Sequence, residues 1–176
     1  MPSPLDPAQT EIARLVRVAQ RGDRAAFADL YQRFSRMVHG IVLARVARAG
    51  NGDVDDVVQD VFVTALERLN DLREPAAFGG WIAAIARHRA ADHGRRMAVT
   101  VGLEDDVATT REPDHLQAMA ILDTVRSLPD AYRETLILRL VEGMSGAEIA
   151  DRTGLTAASV RVNLHRGMKL LREKLT

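Results

Sequence analysis

Asp56 and Asp60 stand one helical turn apart and are the closest approach in the chain to a carboxylate pair fit for acid–base work. No nucleophile or base falls into pattern with them, so they read as part of an acidic surface. The histidines at 39, 88, 93, 115 and 165 show no metal-binding spacing. Gly79-Gly80 is no phosphate loop, and the acids from Asp53 to Asp60 lack a calcium-loop arrangement. The chain has no cysteine, which removes catalytic thiols, thiolate metal sites and any internal redox switch. Neither enzyme chemistry nor a cofactor nor a metal is expected. Another chemistry is better supplied near the C-terminus, where Thr156, Ser159, Arg161, Asn163, Arg166 and Lys169 offer hydroxyls, an amide and cations. Such groups hydrogen-bond base edges and phosphates.

What positions those side chains is legible next to them. Ser145 followed by Glu148 is a capping box, so a short helix starts there and buries Ile149 and Ala150. Gly154 supplies a tight turn and Leu155 fills its corner. Thr156, with Ser159, caps a second helix whose inner stripe is Val160, Leu164, Met168 and Leu171. This is a helix-turn-helix: the first helix braces the second, and the N-terminal exposed side chains of the second enter a major groove. Arg161 and Arg166 are the strongest DNA candidates. The competing reading is a helical hairpin that packs only against protein.

The rest of the 176-residue chain also reads as helix. Apolar residues recur every three or four positions over Ile12 to Ala19, Phe27 to Val46, Val54 to Leu69 and Phe78 to Ala86, divided near Arg21-Gly22-Asp23 and by a loop from Asn70 to Ala77. Asp53 is the expected N-cap of the third helix. Residues 97–117 lose the periodicity and gain acids, Thr and Gly, as a flexible linker does. Helices resume at Leu116, and a further one follows Ser127-Leu128-Pro129-Asp130 with Leu136, Ile137 and Leu140 inward. The expected architecture is all-α, two small helical domains over 1–96 and 118–176 joined by the acidic linker. No apolar stretch is long enough to span a membrane and the start lacks a signal pattern, so cytoplasmic residence without membrane insertion is expected.

Net charge is zero, from 24 basic and 24 acidic residues, yet the signs are segregated. Residues 11–48 carry eight Arg and three acids, and 53–74 carry two Arg and seven acids. Residues 78–96 carry four Arg and one Asp, 97–117 one Arg and five acids, and 156–176 five cations and one Glu. Alternating blocks suit separate surfaces with separate partners.

Beside the acidic face of Asp55, Asp56, Gln59, Asp60, Thr64 and Glu67 comes Phe78-Gly79-Gly80-Trp81-Ile82-Ala83-Ala84-Ile85-Ala86-Arg87-His88-Arg89-Ala90-Ala91-Asp92-His93-Gly94-Arg95-Arg96. This run resembles the Phe-x-x-Trp-Leu-x-x-Ile-Ala-Arg-Asn-x-x-x-Asp-x-x-Arg-Arg signature of extracytoplasmic-function (ECF) sigma factors of the sigma-70 family. Asp55-Asp56-Val57-Val58-Gln59-Asp60-Val61-Phe62 resembles that family's Glu-Asp-Leu-Val-Gln-Glu-Val-Phe, and Leu128-Pro129 with the helix-turn-helix completes the order over about residues 22–96 and 121–175.

The resemblance implies a factor that directs RNA polymerase to promoters. Asp56, Gln59 and Asp60 would face the beta-prime clamp helices. The loop with Asn70, Asp71 and Arg73 would hold an extruded minus-ten base, and Arg87, Arg95 and Arg96 would contact promoter backbone. The helix-turn-helix would read the minus-35 element and meet the beta flap, and an anti-sigma protein would cover the apolar and acidic faces. Departures from the family pattern are His88 for Asn, Arg89 and Ala91 for larger apolar residues, Gly94 before the Arg pair, and Arg161-Val162-Asn163 where Lys-Ser-Arg is frequent. Two other classes stay in view: a regulator that binds duplex operator DNA without polymerase, and a module that binds only protein.

Overall fold

The computed structural model describes residues 7–46, 51–100 and 113–175, and among them there are eight α-helices and no strand. The order is α1 (Pro7–Gln20), α2 (Arg24–Arg45), α3 (Asn51–Glu67), α4 (Phe78–Thr100), α5 (Pro113–Arg126), α6 (Asp130–Leu140), α7 (Gly146–Thr153) and α8 (Ala157–Leu175). Two 3-10 turns, Leu69–Asp71 and Pro75–Ala77, make up most of the connection from α3 to α4. Asp23 caps α2 by accepting from the Ala26 N–H at 3.0 Å, with Gly22 at φ +93° reversing the chain before it.

Several boundaries differ from the sequence expectation. Helix α3 begins at Asn51, which puts Asp53 in its first turn, where an acid faces the positive helix end, instead of at the cap. Helix α4 runs unbroken through Gly94 to Thr100, since a single glycine costs only about 1 kcal/mol relative to alanine in a helix, and a methyl group at Gly94 would meet nothing within 4 Å. Helix α5 starts at Pro113, three residues before Leu116, with proline in the first turn where its missing N–H costs nothing. The linker residues 101–112 lie outside the described residues.

Phe34, Leu30, Met37 and Ile41 of α2 are fully buried with Phe78 and Ile82 of α4. Phe34 and Phe78 meet edge-on, ring centroids 5.0 Å apart, and Trp81 lies 5.8 Å from Phe78. The same core takes in Leu138, Met144, Ile149 and Val160 from the C-terminal half. A second cluster joins Ala44 of α2 to Val125, Leu128, Leu136, Ile137 and Leu171. The C-terminal helices therefore rest on the N-terminal ones across two shared apolar contacts.

Close approach needs small residues at the contact. A methyl group on Gly40 would lie 2.7 Å from Leu138 Cδ2 and 2.9 Å from Glu142 Cγ. One on Gly79 would run into the Arg152 carbonyl, and Gly80 lies under Gly154. The Gly79-Gly80 pair is thus the seat on which the α7–α8 turn rests.

Candidate nucleic-acid and partner interfaces

The helix-turn-helix is built as its sequence foretells. The Ser145 hydroxyl accepts from the Glu148 N–H at 3.2 Å while the Glu148 carboxylate accepts from the Ser145 N–H at 2.8 Å. That backbone hydrogen bond, chiefly, holds the Glu148 carboxyl below its ordinary range. Gly154 ends α7 at φ +74°, and the Thr153 hydroxyl bonds the Ile149 carbonyl. The Thr156 hydroxyl accepts from the Ser159 N–H at 3.1 Å, starting α8.

Thr156, just before α8, and Ser159, Arg161, Arg166 and Lys169 on it are exposed, while Asn163 is half-buried; Ser159, Arg166 and Lys169 share the outward side, with Arg161 and Asn163 on its opposite flanks. Arg161 and Arg166 have no ion pair among the described residues, whereas Lys169 reaches Glu173 at 3.9 Å. Two inward assignments need correction. Met168 is exposed, because the register that buries Val160 and Leu171 against α6 leaves it at the rim. Leu140 is half exposed and, with Ile121, Leu122, Val125 and Val141, forms an open apolar groove between α5 and α6.

Helix α3 carries Asp55, Asp56, Gln59, Asp60 and Glu67 on its solvent side. Asp56 and Asp60 have no ion pair among the described residues, so this face keeps its negative charge. Thr64 does not share the face: it is buried, donates to the Asp60 carbonyl at 2.7 Å and accepts from Arg89 at 2.8 Å. Beside the acids, Phe27, Tyr31, Val58, Phe62, Val63 and Leu66 line an apolar groove, where Tyr31 and Phe62 pack with centroids 4.5 Å apart.

The loop before α4 is held from below by Gln20, whose side-chain amide donates to the Leu69 and Leu72 carbonyls, both at 3.0 Å. Asn70, Asp71 and Arg73 project from it into solvent. On α4, Arg95 and Arg96 are exposed, and Arg95 pairs with Asp92, which also meets His88 at 3.3 Å. Trp81 is half-buried and walls a shallow groove with Arg68, His88 and Arg89.

Arg87 is turned elsewhere. Its Nε and Nη2 donate to the two carboxylate oxygens of Glu134 at 3.0 and 2.7 Å, and Arg45 Nη1 reaches Glu134 Oε2 at 2.6 Å. Glu134 is the only buried charged residue among those described. Burial pushes its pKa up, but the bonds and charges of Arg87 and Arg45 outweigh burial and hold it below 4.5. The same bond to Glu134 raises Arg87 above its ordinary value, against desolvation.

Around this triad Arg36 grips the Glu142 carbonyl, while Arg126 and Arg133 reach the Leu43 and Ala44 carbonyls at 3.3 and 3.2 Å. Arg152 reaches the Arg33 carbonyl at 3.1 Å, and His39 Nδ1 meets Glu142 at 2.6 Å. Sequence reading missed this interface. Its one signal was Glu134 itself, an acid in the same helical stripe as the buried Ile137 and Leu138.

The Sigma-70 region 2 family model matches residues 13–98, and the Sigma-70, region 4 model matches residues 118–171. The chain is 33% identical over 178 residues to the RNA polymerase sigma factor NccH of Alcaligenes xylosoxydans xylosoxydans, covering 92% of this chain and 91% of that one. It is 30% identical over 177 residues to the ECF RNA polymerase sigma factor BldN of Streptomyces coelicolor, covering 94% of this chain and 66% of that protein. Among solved structures, CnrH in complex with the cytosolic domain of CnrY superposes with a TM-score of 0.65 at 26% identity, over 94% of this chain and 97% of that one.

Proposed function

This chain belongs to the sigma-70 family as an ECF RNA polymerase sigma factor, and from that premise we propose how its residues divide promoter-specific initiation among them. One observation carries the division: an unpaired acidic face on α3 and a capped helix-turn-helix with an outward polar face occur in one chain, in the family's order. Asp56, Gln59 and Asp60 bind the clamp helices of the beta-prime subunit, whose complementary charge steers encounter. Asn70, Asp71 and Arg73 of the α3–α4 loop take a minus-ten base turned out of the duplex, and Arg87, Arg95 and Arg96 hold promoter backbone. Capture of an extruded base offsets the stacking and pairing lost on opening the strands.

Thr156, Ser159, Arg161, Asn163, Arg166 and Lys169 read the minus-35 element, with phosphate contacts setting affinity and base contacts setting preference. The two DNA contacts reinforce each other once polymerase holds both halves of the chain, at 1–96 and 118–176. The beta flap binds the C-terminal half. An anti-sigma protein binds the apolar grooves, a proposal supported by the likeness to CnrH, which was solved with the cytosolic domain of CnrY. The protein works in the cytoplasm, and no helix among the described residues is long and apolar enough to cross a membrane.

The test is transcription reconstituted from core RNA polymerase and a pool of genomic promoter fragments. Specific transcripts are expected only with this protein, and Asp60→Arg, on an exposed site, should abolish most of them without changing the melting temperature. Silence from the polymerase alongside tight binding of the free protein to duplex DNA would make it an operator-binding regulator instead.

A further inference from the structure

Two main-chain carbonyls in the connection from α3 to α4 face a single side chain that comes from the end of another helix. Gln20, the last residue of α1, donates from its amide nitrogen to the Leu69 and Leu72 carbonyls, both at 3.0 Å. Only an amide turned with its NH2 toward the loop fits, because its oxygen would meet two acceptors. One N–H goes to each carbonyl, and those carbonyls stand on either side of Asn70 and Asp71.

What this bond pair adds is seen against the loop's other holds. Leu69 and Leu72 put their side chains into the core, at 2% and 8% exposure. The backbone bonds within the segment are local, from the Asp71 N–H to the Arg68 carbonyl at 2.9 Å and from the Leu72 N–H to the Leu69 carbonyl at 3.2 Å. Arg68 reaches Asp71 at 3.4 Å, and such an exposed pair adds little. Gln20 supplies a tie of a different kind, from the loop backbone to α1, whose Ile12, Leu15, Val16 and Ala19 are buried in the same core. Asn70, Asp71 and Arg73 therefore face solvent from a backbone that is held on its inner side.

We propose that Gln20 is a positioning residue for capture of the minus-ten base, acting through the loop backbone and not by contact with DNA. It holds residues 70–73 in the receiving shape before the strand arrives. The inference rests on the assignment of this loop to the extruded base. Ordering a loop residue has an entropic cost, which a held loop meets on folding and a free one meets on capture. Without the amide, part of the base's contribution to binding is used up in ordering the loop. A strand that lacks the base drives no such ordering, so Gln20 makes no difference to it.

The holoenzyme tests this on promoter fragments identified by the reconstituted transcription assay, annealed as forks with one strand of the minus-ten element unpaired and an abasic site at each of its positions in turn. Gln20→Met keeps the length of the side chain and removes both donors. Gln20→Asn keeps the amide on a chain about 1.5 Å shorter, and serves should the methionine variant not fold. At the position of the captured base the unmodified holoenzyme should lose affinity on the order of tenfold when the base is absent. Each variant should lose only about twofold there, with unchanged affinity for the abasic fork and for core polymerase. In the free chain, hydrogen exchange at the Asp71 and Leu72 amides should speed up while the α2 amides stay protected.

Unchanged exchange at Asp71 and Leu72 in both variants would overturn the hold of Gln20 on the loop. Faster exchange with the tenfold ratio intact would refute its part in capture, and so would equal losses on intact and abasic forks, the mark of a merely structural residue. If the unmodified holoenzyme senses an abasic site at no position, the assignment of the loop to a base fails and the proposal with it, while the exchange result still reports the hold.

Discussion

A guanidinium offers five N–H donors in a fixed plane, and what it recognises depends on which acceptor reaches that plane. Arg87 meets a buried carboxylate, Arg89 meets the Thr64 hydroxyl, and Arg166 meets solvent. The Arg89 bond explains one departure from the family pattern: a larger apolar side chain there would leave the buried Thr64 with one partner fewer. Arg166→Ala should reduce transcription from minus-35-dependent promoters and lower the slope of log affinity against log salt by about 1 if it contacts a phosphate. A base contact would instead weaken binding by about 1–3 kcal/mol with altered sequence preference, and a binding titration across salt and promoter variants separates the two. Outward residues such as Arg166, Asp56 and Asp60 were legible because a helical register says which side faces out. The partner of Arg87 was not, because Glu134 lies 47 residues away and periodicity does not say which helix covers which.

Among the elements, α7 and its turn were read most completely, since capping box, left-handed glycine and hydroxyl cap are local signals that act within a few residues. Ser145→Ala should lower the unfolding free energy by about 1 kcal/mol, measured in urea. Gly154→Ala forces a side chain into φ +74° and should cost about 1–2 kcal/mol by the same measurement. Neither residue lies on α8, to which base reading is assigned by proposal, so DNA affinity should fall only as far as the folded fraction does. Helix ends were read less well: α4 goes on to Thr100 and α5 starts at Pro113. At the end of α4 the Met97-Ala98-Val99-Thr100 run contains no glycine or proline to stop a helix, and at α5 the start signal is the proline itself, which reads as a breaker in a linker. Met168 and Leu140 fit an inward stripe by spacing and lie at its exposed edge in space.

At the scale of the whole molecule, the packing of the two halves should itself depend on pH. His39 Nδ1 bonds Glu142, and that bond raises the imidazole pKa above 6.5 against burial, with the Glu142 and Asp55 charges adding and Arg36 engaged with the Glu142 carbonyl. A raised histidine stabilises the packed form fully below 6.5 and loses that contribution as pH rises through its raised value. Glu134, with its pKa depressed, contributes fully above 4.5 and loses it as pH falls through the depressed value. Packing should therefore be firmest between about pH 4.5 and 6.5 and relax on either side, read as interdomain energy transfer across a pH series. His39→Phe should flatten the alkaline limb alone. The cross-ties from Arg36, Arg126, Arg133 and Arg152 all end on main-chain oxygens, those of Glu142, Leu43, Ala44 and Arg33. Every residue type carries that oxygen, so the accepting positions can drift through generations of mutation without loosening these ties, and inheritance of these four ties falls on their donors.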